Sequence, residues 1–144
     1  MSTRFHGITS VVWIGAAIVL AVVMMAQASV GLVVGYGVLC LAGMMAIFYA
    51  YCAKCPCKAC CAHVLPGKVA GLFPRKPGPY SGLEQAVVVV VMLLILGIPQ
   101  PWLWGHWVAF AAFWILTAIS VVQIFSFICH SCPNKHCPVG KMLK

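Results

Sequence analysis

The sequence predicts an all-α membrane protein. Four transmembrane helices form two tandem, parallel-repeat helical hairpins, each followed by a cysteine-rich cytoplasmic segment. Three observations predict this. Hydrophobic residues make up 64% of the 144 positions and charged residues 7%, against about 25% charged in a soluble domain. The apolar residues collect into four runs of a length suited to hydrocarbon about 30 Å thick. A cysteine motif recurs where the second and fourth runs end. The length suits a single membrane domain, 1–144.

The first run, 8–28, follows Arg4 and ends in Ala26-Gln27-Ala28. That order has the form of a signal peptide with a small-residue cleavage site. Its start matches that of the third run, so it is expected to remain as a helix. The second run, 30–51, begins with Gly31 and Gly35 at the spacing that lets membrane helices approach closely, and packing against a neighbouring helix is expected there. The third run, 83–98, is short and ends at Pro99-Gln100-Pro101. The fourth, 102–128, opens with Trp102, Trp104 and Trp107, as in an interfacial aromatic belt. The intervening loop, 52–82, is rich in Pro, Gly and Cys, with turn signals at Pro66-Gly67, Pro74 and Pro77-Gly78-Pro79. Ser81 and Glu84 have capping-box spacing at its end, which gives the chain's single acid a structural role.

Nine Lys and Arg face that one acid, for a net charge of +8. Arg4 precedes the first run, and Lys54, Lys58, Lys68, Arg75 and Lys76 lie between the second and third. Lys135, Lys141 and Lys144 follow the fourth. The other two connections carry no Lys or Arg. This one-sidedness is the positive-inside pattern and predicts a multi-pass protein of a bacterial or archaeal cytoplasmic membrane with both termini in the cytoplasm. It also argues against nucleic acid as partner, which calls for basic residues on a soluble face.

Eight of the nine cysteines fall on that predicted cytoplasmic side, where thiols stay reduced; Cys40 is mid-helix and reads as packing. Residues 48–61 read FYAYCAKCPCKACC and residues 125–138 read FSFICHSCPNKHCP. Both follow Cys-x-x-Cys-Pro-x-Lys-x-Cys. Cys52, Cys55 and Cys60 match Cys129, Cys132 and Cys137; Pro56 matches Pro133, and Lys58 matches Lys135. Phe5-His6-Gly7-Ile8 resembles Tyr80-Ser81-Gly82-Leu83. The chain thus reads as repeat 1 over 5–68 and repeat 2 over 80–141, the second ending in a cysteine-rich tail, 129–144. Two copies of one orientation are related by an axis along the membrane normal, which sets both cysteine groups at one membrane face.

A Cys-x-x-Cys turn aims two sulfurs at one point and the third returns five residues later, a donor set for a thiolate-bound metal. Eight cysteines, Cys52, Cys55, Cys57, Cys60, Cys61, Cys129, Cys132 and Cys137, equal the ligand count of two [4Fe–4S] clusters. The split is five in the loop and three in the tail. Cys57 or Cys61 would then cross to the second cluster, or His130 or His136 would complete it. The alternative is zinc in two Cys3His sites built on the six matched cysteines, with His63 in the first copy and His130 or His136 in the second. It leaves Cys57 and Cys61 unexplained. A third reading is thiol redox chemistry or Cu(I) handling, suggested by the adjacent Cys60 and Cys61.

The Cys-x-x-Cys-Pro runs after membrane helices resemble, by analogy, membrane ferredoxin-type anchors of respiratory enzymes, although the spacing differs from the ferredoxin run. Lys54, Lys58 and Lys135 would offset cluster charge as well as obey the positive-inside rule. No Cys-x-x-Cys-His haem motif occurs. His106 has no evident partner for b-type haem, and one acid leaves no pair for hydrolytic acid–base catalysis. The expectation is a non-catalytic redox subunit that links a soluble oxidoreductase to the membrane or to quinone, within a larger complex or a homo-oligomer.

Overall fold

In the computed structural model, the residues described are 3–55, 69–74, 76–130, 132, 134, 136 and 137. Their regular structure is helical, with no strand among them. Helix α1 spans Thr3–Ala26 and α2 spans Val30–Ala50. The turn between them is tight: the Ala28 and Ser29 amides both donate to the Met25 carbonyl. The Ser29 hydroxyl accepts from the Gly31 amide and caps α2. A 3₁₀ turn, Cys52–Lys54, follows. Helix α3 spans Gly82–Gly97, the short α4 spans Gln100–Trp104, and α5 spans Trp107–Gln123, running into a π-helical turn over Ile124–Cys129.

Among the described residues, four segments are long and apolar enough to cross a membrane: Phe5–Ala26, Val30–Lys54, Gly82–Trp104 and Trp107–Cys129. The sequence reading ended the third run at the prolines and began the fourth at Trp102. The third segment instead continues to Trp104. Pro101 sits in the first turn of α4, where a missing N–H costs nothing. The reversal comes at Gly105 and His106, so Trp102 and Trp104 close the third segment.

Packing sorts the helices into two pairs, α1 with α5 and α2 with α3, joined through α1 and α2. The core is Ala17, Ala21 and Met25 of α1, Tyr36 and Cys40 of α2, Ile95, Leu103 and Phe113. Alanines on α1 keep that helix slim where Phe113 is wholly buried. In hydrocarbon each polar group needs an internal partner, and three hydroxyls inside the bundle have one. The Tyr36 hydroxyl donates to the Ile95 carbonyl at 2.8 Å, joining α2 to α3. The Ser120 hydroxyl donates to the Ser10 carbonyl at 2.9 Å, joining α5 to α1. Thr117 bonds back to the Phe113 carbonyl.

The close approach expected at Gly31 and Gly35 lies elsewhere. Both glycines are exposed, and a Cβ on Gly35 would meet nothing within 4 Å. Gly43 is the buried one: a Cβ there would stand 2.7 Å from Val91 Cγ1. Large aliphatic side chains such as Val19, Val30, Leu41, Leu93 and Val108 remain more than half exposed, a surface suited to lipid.

Glu84 has the structural role its spacing predicts. Its carboxylate accepts from the Ser81 amide, and the Ser81 hydroxyl accepts from the Glu84 amide, a complete capping box. Lys54 also donates to Glu84 Oε2 at 2.8 Å and to the Pro79 carbonyl at 3.1 Å. The charge that the sequence reading offered to a cluster is thus directed at the start of α3. The pair clamps the end of α2 to that start, and so positions the cysteines that flank Lys54.

Candidate thiol site

The two Cys-x-x-Cys segments share one backbone hydrogen bond. The Cys55 amide donates to the Cys52 carbonyl at 3.1 Å, and the Cys132 amide donates to the Cys129 carbonyl at 3.2 Å. The first turn is the 3₁₀ segment that closes α2, and the second follows the π-helical turn that closes α5. Both lie at one end of the bundle, because contacts run between them. Tyr51 and Cys137 share a hydrogen bond between the phenol oxygen and Sγ at 3.0 Å. Asn134 donates from Nδ2 to Cys55 Sγ at 3.6 Å and to the Tyr80 hydroxyl at 3.1 Å.

Between these bonds the Tyr51 and Tyr80 rings stack, with centroids 4.2 Å apart and planes 20° from parallel. Four cysteines lie around the stack, and a fifth, Cys132, adjoins one of them. Cys52, Cys55 and Cys137 lie within electrostatic reach of the Tyr80 hydroxyl, and Cys129 and Cys137 within reach of Tyr51. Cys129 is also close enough to Cys132 and Cys137 for their charges to interact. Burial, and next the Cys55 sulfur, push the Tyr80 phenol above the usual tyrosine range, while the Asn134 hydrogen bond works the other way.

Of the residues the sequence put forward, the structure brings together Cys52, Cys55, Cys129, Cys132 and Cys137. Cys57, Cys60, Cys61 and His63 lie outside the described residues, as do Lys58 and Lys135. His130 and His136 are both exposed. Among the described residues no three Cys, His or acidic side chains are arranged as a metal site. The donor chemistry suits a soft metal, and the candidates needed to complete a four-ligand set include those outside the described residues. Cys40 is buried within the helical core, consistent with packing.

Sequence reasoning missed three members of this site. Tyr51 and Tyr80 were visible as aromatic residues beside the motif copies, with nothing to show that they would stack. Asn134 occupies the position that Cys57 holds in the first copy, and the mismatch was its only signal. It is 5% exposed, and its place in the hydrogen-bond network makes the burial tolerable. A further polar group lies at the same end between α1 and α5. The His6 ring stacks on Phe127 with centroids 4.0 Å apart, Thr9 bonds to Gln123, and His6 Nδ1 is buried without a hydrogen-bond partner.

Compared with protein-family models, curated proteins and solved structures, the chain matches none.

Proposed function

We propose that the protein is a membrane-bound electron-transfer subunit carrying thiolate-ligated iron–sulfur clusters, two of the [4Fe–4S] type, at the cytoplasmic face. One observation carries this reading: two Cys-x-x-Cys turns closed by the same backbone hydrogen bond stand at one end of the bundle around a shared pair of tyrosines. Cys52, Cys55, Cys129, Cys132 and Cys137 are the ligands within this arrangement, and Cys57, Cys60 and Cys61 would complete the set of eight. The tandem-repeat reading is part of the proposal. A two-fold relation between hairpins exchanges the α1–α5 and α2–α3 pairs, and those are the pairs the helices make. The one-sided lysines and arginines put this end in the cytoplasm, where a soluble oxidoreductase would dock and from which electrons would pass toward the membrane or quinone. Small soluble mass favours work within a larger complex or a homo-oligomer.

Iron and acid-labile sulfide analysis of anaerobically purified protein, with electron paramagnetic resonance of the reduced sample, tests the proposal. The expected result is about eight iron and eight sulfide per chain, the content of two [4Fe–4S] clusters. Zinc without sulfide would overturn it in favour of structural Cys3His sites and an anchor or assembly role. That second reading is favoured by three matched cysteines per copy, with His130 and His136 beside the second set. Metal-free protein whose cysteines alkylate readily in the native state would overturn both and point to thiol chemistry.

A further inference from the structure

Asn134 stands where the first copy has Cys57, and its deeply buried side chain uses every donor it has. Nδ2 carries two protons, and its two partners are the Tyr80 hydroxyl at 3.1 Å and Cys55 Sγ at 3.6 Å. The orientation of the amide is set locally. Its Oδ1 accepts from the His136 amide at 3.0 Å, an Asx-type turn. The Asn134 carbonyl also accepts from the Cys137 amide at 3.4 Å. The turn thus faces the NH2 group away from its own segment and toward the first copy.

The group it meets is a fixed point. Tyr80 lies between Pro79, whose carbonyl accepts from Lys54, and Ser81, which caps α3 together with Glu84. The Tyr80 ring stacks on Tyr51, at the end of α2, and Tyr51 shares a hydrogen bond with Cys137. Asn134 and Cys137 therefore meet one platform, the tyrosine pair, at two points. A thiol in the place of Asn134 would bring one weak donor instead of two strong ones.

We propose that Asn134 is a latch: through the tyrosine platform it holds the second cysteine segment on the first in the protein free of any metal. The latch goes beyond the electron-transfer reading and does not rest on it. Its bonds join protein groups alone, and none needs a sulfur to be ionised or coordinated. A net hydrogen bond shifts the ratio of docked to free segment by about 5-fold. The two bonds to the platform, from Asn134 to Tyr80 and between Tyr51 and Cys137, together favour docking by about 25-fold. The departure from the repeat thus exchanges a thiol for a residue that positions the thiols around it.

The test uses the full-length, reduced protein in detergent micelles with a chelator present. The readout is hydrogen exchange of the His136 and Cys137 amides, resolved by mass spectrometry with electron-transfer fragmentation, which reports how often the segment opens. The reference is a synthetic peptide of residues 129–144, which lacks the platform. Both amides should exchange about 25-fold more slowly in the protein than in the peptide. Tyr80→Phe keeps the stacked ring and removes the acceptor of the Asn134 bond. Asn134→Asp keeps the acceptors for the His136 and Cys137 amides and removes the NH2 group. Each variant should lose about 5-fold of the protection with its far-ultraviolet circular dichroism unchanged. Protection below about 5-fold in the wild-type protein would overturn docking without metal, whatever the iron and sulfide analysis finds. Protection undiminished in either variant would overturn the bond from Asn134 to Tyr80 as the latch. Protection lost only together with helix content would overturn a local latch as well.

Discussion

Replacing Gly43 with alanine tests the packing of α2 on α3 directly. The added Cβ would lie 2.7 Å from Val91 Cγ1 and 3.5 Å from Ile95 Cδ1. The first contact is about 0.7 Å short of the 3.4 Å at which ordinary van der Waals contact begins. Val91 is β-branched and held in one rotamer on its helix, so it cannot easily swing aside, and the helices must part. Tyr36 spans the same interface with a 2.8 Å bond to the Ile95 carbonyl. A separation of that size would carry it beyond normal hydrogen-bond length. Overpacking of this kind costs about 1–3 kcal/mol. Gly35→Ala is the matched control, since its Cβ would meet nothing within 4 Å and it shares the roughly 1 kcal/mol gain in helix propensity. Denaturation in mixed micelles with increasing SDS, followed by circular dichroism, should place Gly43→Ala about 1–3 kcal/mol below Gly35→Ala. Equal stability of the two variants would refute the assigned interface.

Two further predictions concern the cysteine end. Ser81→Ala should cost about 1 kcal/mol through loss of the α3 cap. Glu84→Gln, which suits a capping box, should instead cost about 1–2 kcal/mol by leaving the half-buried Lys54 ammonium without its carboxylate. The same denaturation series checks both, and neutrality of both would remove the clamp from the account. Stability should also fall with rising alkalinity because the Tyr80 phenol is raised in the folded state. The unfolded phenol ionises from about pH 10 while the folded one keeps its proton. The unfolded state thus binds fewer protons, and the contribution present below pH 10 is lost as pH climbs toward the folded value. The phenolate absorbance gained at 295 nm on alkaline unfolding should be smaller by one tyrosine in Tyr80→Phe, and that variant should have a flatter alkaline limb. An identical limb in that variant would contradict the assignment.

Local patterns were legible and long-range ones were not. The apolar runs located the helices to within a few residues, except where Pro101 was read as a stop. Proline is a stop inside a helix but neutral in its first turn, and the sequence around it did not show that a new turn began there. Capping-box spacing identified the bond between Ser81 and Glu84 because that bond is local. For Lys54 the sequence offers the positive-inside pattern and the charge of a cluster but not Glu84, since that partner stands 30 positions away. The glycine pair at Gly31 and Gly35 has a spacing that permits close packing, but spacing cannot say whether a helix lies opposite.

The chemistry divides the same way. By itself the sequence determined that the chain has four lipid-compatible helices and two cysteine turns of one design. Both follow from residues near one another: hydrophobicity sums over a single segment, and a Cys-x-x-Cys turn closes on its own backbone. The tertiary structure decided which helices pair, that Gly43 is the point of contact, and that the turns meet across Tyr51 and Tyr80. It also placed Asn134 on Cys55 and Tyr51 on Cys137, across separations of 79 and 86 residues. Such contacts depend on the relative rotation and depth of whole helices, set by core shape at Ala17, Ala21, Gly43 and Phe113 rather than by any pattern within one segment.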